Sequence, residues 1–220
     1  MIMALEAGRL LHLLGMYLRV RAQFTEAERY LLQALSLCEQ REEPTDVAAN
    51  LHELAFLYYD QGQYQQAQPY YQRALTLCEQ IYGPEHPRVA NTLNDIGVLY
   101  HTMGNVAEAA AYYQRALNIR QRTLAADHPD LAESFNNLGY IYYIQNNMAE
   151  AETLFLQALS LQEQSLGSQH PYLAMTLTNL AVLYLKQQRY RPETTEIQRV
   201  RTTPVASKDY SGTRFGARLS

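Results

Sequence analysis

The sequence predicts an all-α fold, a solenoid of antiparallel helix pairs stacked one after another in about four and a half repeats. Two observations predict this fold class. Blocks of the chain match one another at a step of 42 residues, and the matching positions carry small and apolar residues at helical spacing. Self-similarity at such a period is typical of stacked helical repeats, in which each unit contacts mainly its neighbours. An array of this kind offers a long surface to a partner.

The first helix of each repeat is predicted from the block that begins at Val89. Leu93, Ile96, Gly97 and Tyr100 fall at i, i+3, i+4 and i+7, which places them on one face of a helix. The same register holds an apolar residue, a small residue and a tyrosine in each of four blocks: Val47, Val89, Leu131 and Leu173; Ala55, Gly97, Gly139 and Ala181; Tyr58, Tyr100, Tyr142 and Tyr184.

The second helix of this block follows a break at Gly104 and Asn105. Ala109, Tyr113 and Ala116 mark its apolar stripe. Small residues remove side-chain bulk where two antiparallel helices cross, so the backbones can approach closely, and aromatic rings fill the space beside them. The first block repeats these small positions at a step of 40, because its connecting loop is shorter.

This pattern resembles the tetratricopeptide repeat, whose unit is usually about 34 residues with the motif L-x-x-L-G-x-x-Y, then A-x-x-x-F, then A. The longer unit and its HP-containing loop resemble the repeats of kinesin light chains and of bacterial proteins that share them. The clearest matches are LAESFNNLGYIYY at 131–143 and YLAMTLTNLAVLYLKQ at 172–187. The resemblance implies a right-handed solenoid with a concave groove. The heptad coiled coil of kinesin light chains has no counterpart in the sequence, so the resemblance extends to the groove and not to the motor.

The loops between repeats carry start and stop signals. The second helices are expected to run on to Tyr82, Leu124 and Leu166, with Gly83 and Gly167 as C-terminal caps. A proline in each GPEHP-like loop is expected in the first turn of the next helix.

The predicted array covers residues 1–190, and residues 191–220 are predicted to be a disordered tail because they lose periodicity and gain proline, glycine, serine and threonine. The predicted repeats are 8–40, 47–82, 89–124, 131–166 and a half repeat at 173–189. The last helix is rich in leucine where arrays usually end in a polar cap. We therefore hypothesise that the chain is a fragment or a truncated copy, or that its C-terminal edge pairs with another molecule, such as a second copy of itself.

Composition limits the function classes. Residues 1–190 carry a formal charge of −7 and residues 191–220 carry +3, which argues against nucleic acid as a partner of the array. The chain has no apolar run long enough to predict a membrane span, and its N-terminus is predicted to be a helix rather than a signal peptide. Cys38 and Cys78 are expected to be packed thiols rather than a disulfide or ligand pair, which points to the cytoplasm.

No catalytic motif or phosphate-binding loop is present in the sequence, so we expect a protein that is not an enzyme and needs no cofactor. His86, His128 and His170 recur at 42 residues and raise the question of a metal site. Stacked repeats would hold them about 10 Å apart, too far for one ion, so a structural role in the loops is expected and no metal is predicted.

The candidate binding residues come from the resemblance, which implies that the first helices line the groove, and from the helical register. They combine amides, imidazoles, aromatic rings and a basic side chain: Asn94, Asn136, Asn91, His52, Tyr59, His101, Tyr140, Tyr143, Arg19 and His12. Asn side chains can pair with a peptide main chain, and tyrosine supplies flat contact area. Asn94 and Asn136 resemble the amides that hold extended cargo peptides in kinesin light chains.

Other interpretations of these residues stay open. An asparagine in a repeat can be structural, and the adjacent Asp95, Asn137 and Asn179 are second-choice site residues. The predicted function is a scaffold that binds an extended segment of a protein or peptide partner. The alternatives are a regulatory or sensor module of a larger signalling protein, such as a nucleotide-dependent switch, and a receptor for small peptides.

Overall fold

The computed structural model describes residues 2–168 and 170–187, with side chains from Glu6 onward. Every regular element in those ranges is a helix, and the chain divides into two compact units, Met1–Tyr112 and Tyr113–Ser220. The predicted tail, 191–220, lies outside the described residues.

Unit 1 contains two complete helix pairs and the first helix of a third. Its helices are α1 (Ile2–Val20), α2 (Phe24–Glu39), α3 (Pro44–Asp60), α4 (Tyr64–Tyr82) and α5 (Pro87–Thr102). Helix α6 (Val106–Thr123) contains the division between the units, and unit 2 continues with α7 (Pro129–Ile144), α8 (Met148–Leu166) and α9 (Leu173–Lys186). The all-α prediction and the N-terminal helix are confirmed.

The predicted helix boundaries follow local chemistry. Helices α4 and α8 end where predicted, and each is followed by a glycine with positive φ, 88° at Gly83 and 82° at Gly167. Only glycine adopts this conformation without strain, and the backbone N–H of each glycine donates to the carbonyl four residues earlier. Pro87 and Pro129 begin α5 and α7, where the missing N–H costs nothing.

The core of unit 1 forms where each second helix packs between two first helices, since α2 contacts α1 and α3, and α4 contacts α3 and α5. Ala27, Leu31, Leu54 and Leu57 are fully buried there. Gly15 shows why the crossing needs a small residue, because a Cβ added to it would lie 2.5 Å from Leu31 Cγ. The helix pair therefore depends on the small-residue pattern that the sequence displays.

The core of unit 2 repeats this arrangement around α8, which contacts both α7 and α9. Phe155 lies against Gly139, where an added Cβ would meet two ring atoms at 2.9 Å. The same cluster buries the leucines of α9: Leu173, Leu177, Leu180 and Leu183.

The structure corrects one part of the expected apolar C-terminal edge. Leu177, Leu180 and Leu183 are fully buried against unit 2, because they occupy the stripe of α9 that packs on α8. Of the leucines on α9, Leu185 remains 54% exposed. The apolar surface at this edge is therefore smaller than the composition of the helix indicates.

Among the described residues, the helices are too short or too polar for any of them to cross a lipid bilayer.

Candidate functional site

In unit 1 the first helices lie beside one another, since α1 contacts α3 directly. We define the first-helix face of unit 1 as the side chains of α1, α3 and α5 that pair between neighbouring first helices, together with their predicted binding neighbours: His12, Arg19, His52, Glu53, Tyr59, Asp60, Asn91, Asp95, His101 and Thr102. This face contains most of the binding residues predicted from the sequence.

Arg19 joins α1 to α3 through two ion pairs. Its Nε lies 3.2 Å from Glu53 Oε2, and its Nη1 lies 2.5 Å from Asp60 Oδ2. The guanidinium carbon is also 5.1 Å from the ring centroid of Phe56, a cation–π contact. The sequence suggested Arg19 as a ligand-binding cation, but in the structure its charge is already neutralised by two carboxylates.

His52 and Tyr59 join α3 to α5 in the same way. His52 Nε2 lies 2.7 Å from Asp95 Oδ2, and Tyr59 Oη lies 3.0 Å from Thr102 Oγ1. His52 also packs edge-on against Phe56, with ring centroids 4.9 Å apart. Both predicted residues are half-buried, so each keeps part of its surface accessible while its polar atom is held in place.

The remaining predicted residues of unit 1 differ in exposure. His12 is half-buried, and its Nδ1 lies 3.1 Å from Asn50 Oδ1. Asn91 is exposed. His101 is half-buried, and this burial lowers the pKa of its imidazole by disfavouring the charged form. Asn94 is only 3% exposed, less accessible than the groove position predicted for it.

We define the first-helix face of unit 2 as the corresponding side chains of α7 and α9: Asn136, Tyr140, Tyr143, Thr178, Asn179 and Lys186. The rings of Tyr140 and Tyr143 are stacked with centroids 6.0 Å apart, and Lys186 Nζ lies 4.6 Å from the centroid of Tyr143. Both tyrosines are half-buried and Lys186 is exposed. This arrangement offers flat aromatic surface next to a positive charge.

Asn136 is 2% exposed, and its Oδ1 accepts a hydrogen bond from Asn179 Nδ2 at 3.0 Å. Its own Nδ2 is enclosed and has no hydrogen-bond partner in the part of the chain that the structure describes. A buried donor left in this state costs about 1–3 kcal/mol. The amide is therefore a structural link between α7 and α9 as well as a candidate binding group.

These contacts share one sequence offset that the sequence interpretation missed. His52 with Asp95, Tyr59 with Thr102, Tyr143 with Lys186 and Asn136 with Asn179 are each 43 residues apart, and Arg19 with Asp60 is 41 apart across the shorter first repeat. The offset is the repeat step plus one. A first-helix side chain thus leans toward the next first helix and meets the residue one place further on. The sequence did contain a signal for these contacts, namely pairs of side chains that can bind each other, such as His52 and Asp95, 43 residues apart.

Because first-helix side chains point toward the next first helix, Asn136 has low exposure. The prediction placed it on the open surface because it considered one helix at a time. In the structure the neighbouring first helix covers this position and uses the amide. The second-choice residues Asp95 and Asn179 are the partners on the neighbouring helix, so the two sets predicted as alternatives contact each other.

The recurrent loop histidines have the structural role that was expected. The Nδ1 atoms of His86, His128 and His170 accept backbone N–H groups at 3.1, 3.2 and 3.3 Å respectively. His86 and His128 are the N-cap residues of α5 and α7. Each satisfies one of the unpaired N–H groups at the start of a helix.

The charges on the face of unit 1 are unevenly balanced. Arg9 Nε lies 3.4 Å from Asp46 Oδ2, next to the pairs already described for Arg19 and His52. These contacts contain four carboxylates and two arginines: Asp46, Glu53, Asp60 and Asp95 with Arg9 and Arg19. The charged contacts of this face are therefore net acidic when the histidines are neutral.

Solved structures with this arrangement of helices are numerous. BtubC (BKLC) from P. vanneervenii aligns with a TM-score of 0.76 and 22% identity over 91% of this chain and 78% of its own. Kinesin light chain TPR-like repeats from Podosopora anserina align with a TM-score of 0.74 and 26% identity over 88% of this chain and 92% of theirs. A STAND signal-transduction ATPase with a tetratricopeptide repeat sensor, from Pyrococcus horikoshii, aligns with a TM-score of 0.73 and 18% identity over 83% of this chain and 28% of its own.

Sequence models of one family cover almost all of the predicted array. Tetratricopeptide repeat models match residues 9–43, 46–122, 99–164 and 130–192. A comparison with curated proteins gave no match to this sequence. The repeat models and the similar structures confirm the resemblance drawn from the sequence, including its kinesin-light-chain-like character. The chain belongs to the tetratricopeptide repeat family and has the all-α solenoid fold of that family.

Proposed function

We propose that this protein is a non-catalytic scaffold that binds an extended segment of a protein or peptide partner on its first-helix faces. The observation that carries this proposal is the row of paired side chains on neighbouring first helices, such as His52 with Asp95 and Tyr143 with Lys186. Their polar atoms are held in fixed positions while their rings and edges stay partly exposed. Such pre-organised side chains lose little conformational entropy when a ligand binds.

The spacing of the helices favours an extended ligand. Packed helices lie about 8–10 Å apart, and an extended chain advances about 3.3 Å per residue. About three ligand residues therefore span one repeat, so alternate side chains can contact tyrosine rings while main-chain groups reach amides and imidazoles.

The two faces favour different ligand chemistry. The acidic surplus in unit 1 favours a segment with lysine or arginine, and Asp60, with a side chain 34% exposed, is an accessible carboxylate there. In unit 2, Lys186 over the Tyr143 ring favours a carboxylate or an aromatic side chain. Arg19 is given no separate ligand preference, because Glu53 and Asp60 already neutralise that arginine.

A second candidate function is a regulatory or sensor module within a larger signalling protein. The Pyrococcus horikoshii STAND protein, whose tetratricopeptide repeat is described as a sensor, favours this candidate. A small-peptide receptor would use the same faces.

We further propose a cytoplasmic location, which the two free cysteines favour. We also retain the proposal of self-association at α9, where Leu185 is exposed.

Peptide-display selection on the full chain tests the scaffold proposal. Enriched peptides are measured against three variants: Tyr59→Ala on the face of unit 1, Tyr143→Ala on the face of unit 2, and Tyr30→Ala as the control. Tyr30 is a half-buried tyrosine on the second helix α2, so it matches the others in type and exposure but not in location. We expect at least one face variant to weaken binding about tenfold, about 1.4 kcal/mol, and the control to leave it unchanged.

Three results would reject the proposal. They are no enrichment by folded protein, equal binding to all variants, or a loss confined to Tyr30→Ala. Circular dichroism of each variant confirms that lost binding is not lost folding. The charge assignment is tested separately by Asp60→Lys, which should weaken peptides rich in lysine or arginine and leave the others unaffected.

A further inference from the structure

A second site lies in unit 1, where the end of α2 meets the start of α3. Cys38, Glu43 and Asp46 each direct one ligand-type atom to this place, and the sulfur and carboxylate oxygens lie within 4.8 Å of one another. Cys38 is 2% exposed and the two acids are half-buried. None of these residues belongs to the set predicted for partner binding.

A cavity of about 120 Å³ adjoins the cluster, and α1 closes its other side. Its lining includes Cys38 and Asp46 together with His12 of α1, beside Gly8, Arg9, Ala49 and Asn50. His12 Nδ1 lies 3.1 Å from Asn50 Oδ1, so the imidazole lines the cavity without belonging to the cluster of ligand-type atoms. The cavity is large enough for an ion and a water molecule, whose share of liquid volume is about 30 Å³.

The equivalent place in unit 2 is built around a buried cation. Two repeats further along, Arg120 stands at the position of Cys38, Asp130 at that of Asp46, and Ser134 at that of Asn50. Arg120 is 2% exposed, and its Nη1 donates to Asp130 O at 2.9 Å, Glu133 Oε2 at 3.2 Å and Ser134 Oγ at 2.7 Å. At this junction of unit 2, acidic and polar groups thus hold a buried positive charge.

In unit 1 the corresponding place has the acid, Asp46, but it has Cys38 where unit 2 has Arg120. Arg9 contacts Asp46 from the solvent side, at 3.4 Å and with a side chain that is 63% exposed, so it can swing away. A dication placed between the sulfur and the carboxylates would neutralise the two acids, Glu43 and Asp46, that meet there.

We propose that Cys38, Glu43 and Asp46, with water from the adjoining cavity completing the coordination, form a binding site for a zinc-type divalent cation. Thiolate, imidazole and carboxylate are the ligands that Zn²⁺ takes in proteins, at about 2.0–2.3 Å, whereas Ca²⁺ and Mg²⁺ prefer oxygen alone. Binding breaks the S–H bond of Cys38, releases its proton to solvent and forms a sulfur–metal bond. The carboxylates close on the ion by side-chain rotation once Asp46 exchanges Arg9 for the metal.

The site ties the end of α2 to the start of α3. Its ligands come from the last turn of α2, the N-cap residue of α3 and the first turn of α3. Metal binding is therefore expected to stabilise unit 1, and it involves Asp46, which also pairs with Arg9 among the charged contacts of the first-helix face.

Cobalt(II) titration of the reduced, metal-free full chain tests the site by absorption spectroscopy. We expect one Co²⁺ per chain, with a thiolate-to-cobalt charge-transfer band that Zn²⁺ displaces and Ca²⁺ does not. Cys38→Ser should abolish the band. Cys78→Ser, the cysteine at the equivalent position of the next repeat, should retain it.

Asp46→Asn provides a second test that leaves the thiol in place. It should keep the band but weaken Zn²⁺ affinity at least about tenfold. Absence of a charge-transfer band in the parent chain would overturn the proposal, as would a band that persists in Cys38→Ser or disappears in Cys78→Ser. Circular dichroism confirms that each variant is folded, so a missing band reports on ligation.

Discussion

The two units use one repeat geometry to hold different chemistry. At the equivalent position of the first helix, unit 1 places Tyr59 against Thr102, and unit 2 places Tyr143 under Lys186. At the junction between repeats, unit 1 has Cys38 beside two carboxylates, and unit 2 has Arg120 among its acceptors. The comparison teaches that the repeat determines where side chains meet, whereas the residues at those meeting points determine the chemistry that each unit presents.

Each unit has a buried core of the same kind, and substitutions in these cores should cause the largest loss of unfolding free energy. Phe155→Ala removes a fully buried ring from unit 2 and should cost about 3–5 kcal/mol of unfolding free energy. Leu31→Ala, at the equivalent position of unit 1, should cost about 2–5 kcal/mol. Denaturant unfolding followed by circular dichroism measures both, and a cost below about 1 kcal/mol for either would contradict the packing described here.

The difference at the repeat junction predicts the next largest effect. Arg120→Ala removes a buried guanidinium and three hydrogen bonds, so unfolding free energy should fall by about 2 kcal/mol or more. Cys38→Ala at the equivalent position of metal-free unit 1 should cost about 1 kcal/mol, because a smaller side chain is lost. Equal costs for the two substitutions would mean that Arg120 is not a central element of unit 2.

The smallest expected effect is on the pH dependence of stability and comes from His101. This residue occupies the repeat position in unit 1 that Tyr143 occupies in unit 2. Because burial lowers the pKa of His101, the unfolded chain takes up its proton first, at the ordinary value of about 6.5. This group therefore contributes less stability as the pH falls below about 6.5.

His101→Gln should reduce the fall in melting temperature between about pH 7.5 and 5.5 by about 2 °C, the scale of a sub-kcal effect in a chain of this size. Tyr143→Gln, at the equivalent position of unit 2, should leave the pH dependence as it is in the parent. Thermal melts across this range measure both variants, and parallel curves for His101→Gln and the parent would refute the assignment.

The fold could be predicted because its determinants are local and periodic. Gly15 and Gly139 mark helix crossings, Gly83 and Gly167 end helices, and Pro87 begins one. Each signal acts over a few residues, so a single sequence displays it.

The site was predicted less completely because its contacts form between helices. The register showed that His52 and Asn136 lie on first helices, but not that each reaches a residue 43 positions away. It also could not show that two acids neutralise Arg19 or that α8 covers the leucines of α9. These features depend on how neighbouring helices pack against each other, and the periodicity of one helix does not predict that packing.

The central claim is that a partner binds along the first helices. It is tested most directly by NMR on isotope-labelled full chain, titrated with a peptide enriched by display. We predict that amide shift changes concentrate on first helices, including α3 around Tyr59 and α7 around Tyr143, and leave the outward residues of α2, α4 and α8 unchanged. Changes concentrated on α2, α4 or α8 would contradict the claim.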